Sequence, residues 1–324
     1  LERGDLPAAR RGFLWELEVL ERIAAAEPRN WQLQASRANI ISFLGTVAER
    51  GGDFAEAIER FDGQMRIIET LVRDDPGTVR WKDRLANALA LQAGVLAIIG
   101  QRTAALARRA RAWDLLAVPV VQDASNRVLQ LAALKLRLDD AWVVRAEGDA
   151  AQAQRLLDEA RIGLEKLAKI ESTDRKILGL LATTWRLEAQ LRVAAGRGAA
   201  GPLITQALAA GEDLMARERA NDGFVGEYAN ACVVAGAIAA HGGAHDAASR
   251  HWERAVEVVG SRRAESRDWR LLDPLARALA RLGRSDECRA VIEKLHGFGY
   301  QPLEPWPVGA GPAFAGSEAG RPKK

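Results

Sequence analysis

The chain has few cysteines, the residues whose disulfides stabilise small secreted domains. It has two cysteines in 324 residues, Cys232 and Cys288. A disulfide framework is therefore excluded, and packing is the simpler role for both thiols. We expect a reducing compartment, the cytoplasm. Methionine is equally rare, and only 6% of the residues are aromatic, so the core must be built mainly from aliphatic side chains.

The chain also lacks a strong charge of one sign and a long apolar run. Its net charge of +3 is the difference between 46 basic and 43 acidic residues, which are mixed along the sequence. We therefore expect no nucleic-acid binding by this segment. The longest apolar runs, at 89–100 and 231–240, are shorter than the roughly 20 residues that a membrane-spanning helix needs. This predicts no transmembrane helix and no membrane partner.

Signals of catalysis, cofactor binding and metal binding are weak. The sequence has no Gly-x-Ser-x-Gly motif, no phosphate-binding lysine loop and no paired CxxC. The string from Gly196 to Gly201 has the spacing of a dinucleotide-binding loop, but it follows a helical segment, so we interpret it as a turn. His241, His245 and His251 are an alternative metal site, although two glycines after the first interrupt the helix that such a site needs. We predict no enzyme activity, no cofactor and no bound metal.

What the chain does have is a period of 48 residues. One set of positions at this spacing is glycine: Gly4, Gly52, Gly100, Gly148 and Gly196. A second set carries side-chain oxygens that can cap helix N-termini: Asn30, Thr78, Asn126, Asp174 and Asp222. Strict periods of 20 to 50 residues are typical of stacked repeat proteins. Each unit is predicted to be two antiparallel helices, an A helix after the cap and a B helix after the glycine turn.

The apolar residues between these breaks recur every three or four positions. Phe54, Ile58 and Phe61 show this spacing, which predicts amphipathic helices. No segment alternates long enough to indicate a strand, so the fold class is all-α. Pro119 lacks a backbone N–H, and we expect it to end or kink its helix near Val118.

Pairs of small residues, twelve positions apart, flank the turns. The pairs are Gly45 and Ala57, Ala93 and Ala105, Ala141 and Ala153, Ala189 and Gly201, Gly236 and Ala248, and Ala276 and Cys288. With a turn glycine seven residues after the first small residue, this spacing resembles the tetratricopeptide repeat (TPR) family. The resemblance covers residues 4 to about 300, with helices longer than in the family's usual unit of about 34 residues. It implies a right-handed superhelical solenoid of about 13 helices, with turns near residues 4, 52, 100, 148, 196, 243 and 283.

The two ends differ from the rest of the array, residues 1–300. The turn at Gly4 leads into a B helix with no A helix before it, which we interpret as a sign of a fragment. A shorter final helix pair is expected to begin at 273–275 and to close near Gly299. Residues 301–324 are rich in proline and glycine and are predicted to form a flexible tail. Trp306 either belongs to that tail or docks on the last helix.

The candidate binding residues follow from the TPR resemblance. In that family the A helices line the concave surface, and the residue six before the first small position points into it. In this chain those residues are Asn39, Asn87, Lys135, Thr183 and Asn230. Amides and an ammonium along a groove can hydrogen-bond a peptide backbone or carboxylate. Trp142, Arg145 and Arg186 lie nearby as candidate anchors; the alternative is that all eight are ordinary solvated helix residues.

The predicted function is therefore binding, with a protein or peptide as partner. One hypothesis is the C-terminal sensory or docking arm of a larger bacterial signalling protein, because similar long-period repeats are appended to winged-helix regulators, protein kinases and TIR-type proteins. The alternatives are a stand-alone scaffold and a structural role through self-association into a homo-oligomer.

Overall fold

The structure, a computed structural model, describes residues 5–196, 200–218, 220–260 and 266–307. Within these ranges the regular elements are thirteen α-helices, and there is no strand. The helices are α1 (Leu6–Ala26), α2 (Trp31–Arg50), α3 (Phe54–Asp74), α4 (Val79–Ile98), α5 (Arg102–Gln122), α6 (Arg127–Ala146), α7 (Ala150–Ile170), α8 (Arg175–Ala194), α9 (Ala200–Arg217), α10 (Asp222–His241), α11 (His245–Gly260), α12 (Trp269–Arg281) and α13 (Ser285–Gly297).

The helices stack as a solenoid of helix pairs. Each A helix packs against the B helix that follows it, as α2 does on α3 and α4 on α5. The A helices also contact one another in the series α4, α6, α8, α10 and α12. They therefore form a continuous layer, which is the inner surface of the array. This confirms the predicted all-α solenoid.

Glycines close the A helices. The following glycines have φ between 62° and 94°: Gly52, Gly100, Gly148, Gly196, Gly243 and Gly283. A residue without Cβ adopts this left-handed conformation at no steric cost, and it ends one helix so that the next can begin. These are the positions where the sequence predicts turns, except for Gly4, which lies outside the described residues.

The period shortens by one residue after the turn at Gly196. Gly201, predicted as a small contact residue, is exposed, and Ala200 is buried in its place. The cap of α10 is Asn221, whose side chain accepts a hydrogen bond from the backbone of Gly223, and not the predicted Asp222. Both corrections have one cause: a unit of 47 residues in place of 48.

Neither Pro119 nor Pro274 marks a helix boundary, contrary to the prediction from the sequence, while a kink at Pro119 stays a prediction. Helix α5 continues through Pro119 to Gln122 and does not end near Val118. Helix α12 begins at Trp269, and Pro274 lies inside it. Both prolines are buried, so contacts with neighbouring helices offset the backbone hydrogen bond that each proline removes.

The array curves until its last helix pair meets its first turns. The indole Nε1 of Trp269 donates to Glu49 Oε1 at 3.4 Å, across 220 residues of sequence. Phe298 lies edge-on to Phe54, with ring centroids 5.8 Å apart. Trp269 also stacks on Trp142, with centroids 6.0 Å apart and an interplanar angle of 12°. The A-helix surface is therefore the inside of a closed array.

Among the described residues, one helix is apolar enough, by length and composition, to cross a membrane. This is α10, Asp222–His241, and half of its most apolar window is buried in the structure. It packs against α8, α9, α11 and α12. A core helix of a soluble protein has the same properties, so its composition alone is weak evidence for a membrane span.

Candidate functional site

The inner surface contains two neighbouring cavities. The larger, of about 940 Å³, lies between α4, α6, α8 and α10. The smaller, of about 240 Å³, lies between α6, α8, α10 and α12. Thr183, Gly223, Glu227 and Arg270 line both, so the two cavities form one continuous concave face.

The larger cavity has an apolar floor and polar ladder residues beside it. Its apolar side chains include Val128, Leu131, Leu180 and Phe224. Val128 is 67% exposed, which is unusual for a large aliphatic side chain in a concave surface. The ladder residues here are Asn87, Lys135 and Thr183. A mainly apolar concavity with a few polar groups is the usual make-up of a binding site.

Charges of both signs surround the larger cavity. Lys135 Nζ donates to Asp139 Oδ2 at 2.7 Å, and Arg127 pairs with Glu171. Burial raises the pKa of Asp83, and the nearby Arg84 opposes that shift. The rim is therefore mixed, and it does not select a strongly acidic or a strongly basic ligand.

The smaller cavity is lined by cations and aromatic rings. The Arg186 guanidinium binds Glu227 through two hydrogen bonds, of 2.6 and 3.2 Å. Trp142, Trp269 and Tyr300 form a stack beside it, with neighbouring ring centroids 6.0 and 5.6 Å apart. The segment that follows the last helix fills part of the concave face here, and its Leu303 and Glu304 line the cavity.

This segment comprises residues 301–307, and we call it the strap. Its first backbone N–H, on Gln301, donates to the carbonyl of Ile98 at 2.7 Å. Leu303 is buried, and the Glu304 carboxylate pairs with Arg145. The predicted tail thus starts with seven residues that lie against the array, while residues 308–324 are outside the described part. Trp306 does dock on the last helix pair.

The eight candidate residues divide among these surfaces. Asn87 and Lys135 line the larger cavity, Thr183 lines both, and Trp142, Arg186 and Asn230 line the smaller one. Arg145 lies under the strap and Asn39 is exposed on α2. Thr183 and Asn230 hydrogen-bond backbone carbonyls one turn earlier in their own helices, at 3.1 Å each. Their side chains are thus partly engaged before any ligand arrives.

Sequence reasoning missed several residues of the concave face. Gln190 lies one helical turn after Arg186, so the helix period could have identified it. Arg277 follows the small residue Ala276 as Trp142 follows Ala141, so the repeat register could have identified it. Arg102 and Trp269 carried no such signal. In the residues that the structure describes, no three His, Cys, Asp or Glu side chains cluster as metal ligands would.

Comparisons with known proteins find a similar structure but no matching family. No protein-family model matches the chain, and no curated protein matches it. Solved structures that match include BtubC (BKLC) from P. vanneervenii, with 16% sequence identity and a TM-score of 0.48. The match covers 80% of this chain and 93% of that chain. A likeness of this degree carries no argument about function.

Proposed function

We propose that the chain is a non-enzymatic, cytoplasmic protein–protein interaction scaffold whose inner surface binds a segment of a protein or peptide partner. One observation carries the proposal: the cavity of about 940 Å³ beside Asn87, Lys135 and Thr183. Its apolar floor offers burial to apolar side chains of a partner, worth roughly 25 cal/mol per Å². The Asn87 amide and the Lys135 ammonium offer hydrogen bonds to a peptide backbone.

We further propose that the array is a long-helix member of the TPR family. The glycine turns, the buried small residues and the layer of A helices support this assignment. The same repeat type supports the proposal that the chain is the sensory or docking arm of a larger bacterial signalling protein. Another domain of that protein would produce the signalling output. The groups on the described inner surface are suited to binding.

The test removes the polar ladder without touching the core. The variant Asn87→Ala/Lys135→Ala changes two exposed side chains. The probe is a random peptide library displayed on phage and selected on the full chain, followed by affinity measurements on the selected peptides. We expect the double variant to lose at least about tenfold in affinity, or roughly 1.4 kcal/mol, with its melting temperature nearly unchanged because exposed substitutions cost little.

A matched control changes an amide and a cation on the outer layer. Gln152→Ala/Arg155→Ala does this on α7, where the two side chains bond only at the surface. The control should keep the affinity of the parent chain. Equal affinity of all three proteins for the selected peptides would remove the larger cavity from the binding surface.

A second candidate function is self-association through α1. This helix exposes Leu14, Trp15 and Ile23, and Trp15 is 68% exposed. Tryptophan is enriched at protein–protein interfaces, so the exposed Trp15 is the residue on which this candidate rests. Sedimentation equilibrium tests the idea: Trp15→Glu should lower the dimer fraction at a given concentration, and a monomeric parent chain would contradict it.

A further inference from the structure

The strap lies on the inner surface in the way that a bound peptide does. Three of its backbone carbonyls accept hydrogen bonds from the array: Arg102 donates to the carbonyl of Leu303 at 3.2 Å, and Arg277 donates to the carbonyls of Glu304 and Pro305 at 2.7 and 3.2 Å. Side-chain donors aimed at an extended backbone are a common mode of peptide recognition. These donors would serve any extended segment of the same shape.

An apolar pocket holds one strap side chain. Leu303 is 5% exposed, and it belongs to a buried cluster with Ala93, Leu96, Ala97, Ala105 and Val143. Three of these neighbours are alanines, two of them from the small-residue contact between α4 and α5. Small side chains leave room for a branched aliphatic side chain of leucine size, so the pocket selects for such a residue.

A carboxylate is required next to that leucine. Glu304 pairs with Arg145, and Gln190 Nε2 donates to its Oε2 at 3.0 Å. Burial lowers the pKa of Arg145, and Glu304 opposes that shift. Two further guanidinium groups face this region, but each has its own carboxylate: Arg186 pairs with Glu227 at 2.6 Å and Arg277 with Asp273 at 2.8 Å.

The carboxylate that faces Arg145 therefore comes from the strap. A buried cation left without its counter-charge is unfavourable, so a ligand that displaces the strap must bring an acidic group to the same place. The strap is nevertheless only partly buried against the array. Within 301–307 Leu303 is buried, while Gln301 and Pro305 are exposed and the other residues are half-buried.

We propose that the groove under the strap is a recognition site for an extended acidic peptide in which a leucine is followed directly by a glutamate or aspartate, and that the strap is its intramolecular ligand. A partner carrying such a segment competes with the strap for Leu303's pocket and for Arg145. The groove adjoins the smaller cavity, whereas Asn87 and Lys135 line the larger one, so variants at Arg145 test this proposal and variants at Asn87 and Lys135 test the proposed function.

The test supplies the strap as a separate peptide. The probe is a fluorescein-labelled peptide of residues 299–307, and the receptor is the full chain with its own strap released by Leu303→Asp/Glu304→Lys. Tethering gives the strap a high effective concentration, in the millimolar range for short flexible links. We therefore expect the released variant to bind the peptide at least about tenfold more tightly than the parent chain does, by fluorescence anisotropy.

Two controls assign the binding to the groove. Adding Arg145→Ala to the released variant should abolish the gain in affinity, whereas adding Arg155→Ala, on the outer layer, should leave it intact. A peptide with the glutamate changed to glutamine should bind at least about tenfold more weakly, because it brings no counter-charge. Circular dichroism checks that each variant folds.

A milder variant keeps the test decisive if the double substitution unfolds the chain. Glu304→Gln removes one charge from the strap and keeps its shape, so this variant should also bind the unmodified peptide more tightly than the parent. The proposal is overturned if neither released variant binds the peptide better than the parent, or if Arg145→Ala and Arg155→Ala have equal effects.

Discussion

Gly236 and Gly94 show how single residues set the spacing between helices. Both lie inside A helices. A Cβ on Gly236 would be 2.2 Å from Nε1 of Trp252, whose indole donates to the carbonyl of Val233. A Cβ on Gly94 would meet nothing within 4 Å. Glycine therefore has a different role in each helix. Gly236 allows close packing in α10, whereas Gly94 only lowers the helix propensity of α4.

This difference gives a matched pair of substitutions. Gly236→Ala should lower the free energy of unfolding by roughly 1 to 3 kcal/mol, because the indole must move. Gly94→Ala should raise it, by up to about 1 kcal/mol, because alanine favours helix. Urea unfolding followed by circular dichroism measures both. Equal effects of the two substitutions would contradict the packing of Trp252 against Gly236.

Asp140 should make stability depend on pH. It pairs with the buried Arg109, with a nitrogen-to-oxygen distance of 3.5 Å. Burial raises the pKa of Asp140 to about 6, and Arg109 opposes the shift. This folded value lies above the unfolded one of about 3.9. The folded chain therefore holds the extra proton, and the contribution of Asp140 to the free energy of unfolding falls as pH rises from about 4 to 6.

The size of this effect is at most about 3 kcal/mol, since one pKa unit corresponds to about 1.4 kcal/mol. Asp140→Asn removes the titration. Urea unfolding at pH 5 and pH 7 should show a smaller fall in stability for the variant than for the parent chain. Parallel pH profiles would show that Asp140 titrates normally in the folded state.

At the scale of the helix, caps and turns set where each element begins and ends. Asn126 Oδ1 accepts a hydrogen bond from the backbone N–H of Leu129 at 3.3 Å, at the start of α6. Thr78 occupies the equivalent position before α4 but makes no side-chain cap bond. The repeat therefore keeps the position of the N-cap residue, but the capping hydrogen bond is not made in every unit.

Alanine substitutions at the two caps should differ accordingly. Asn126→Ala should lower the free energy of unfolding by about 1 kcal/mol, because a backbone N–H loses its partner. Thr78→Ala should cost no more than a few tenths. Thermal unfolding of both variants, at one concentration and pH, makes the comparison, and a larger loss at Thr78 would contradict the cap geometry.

The helices themselves were predictable from the sequence, because the signals that define them are local. The number of helices, the glycine turns and most caps follow from the 48-residue period. The errors have local causes too. A turn shortened by one residue moved the cap to Asn221, and burial of Pro119 and Pro274 overrode their tendency to end helices.

At the scale of the whole molecule, closure of the array decides what the inner surface can bind. Closure depends on pairs such as Glu49 with Trp269 and Phe54 with Phe298, which are more than 200 residues apart. No periodic pattern relates such positions, so the sequence did not predict them. Four of the five ladder residues line the two cavities, and their role in binding stays a prediction. The strap that covers Arg145 lies in a segment whose composition predicted a flexible tail.

Closure also explains an unusual buried acid. Burial raises the pKa of Glu49, and the nearby Arg270 opposes that shift. The carboxylate lies at the contact between the second helix and the twelfth, where it accepts from Trp269. A polar group buried at such a contact specifies which surfaces meet, because any other pairing would leave it without a partner.

The most direct test of this account is small-angle X-ray scattering of the full chain and of Trp142→Ala/Phe298→Ala. Phe298 contacts Phe54 near the start of the array, and Trp142 of α6 stacks on Trp269 of α12. The account predicts a compact parent chain whose scattering fits the closed array, and a larger radius of gyration for the variant. A parent chain already as extended as the variant would contradict closure, and with it the enclosed binding surface.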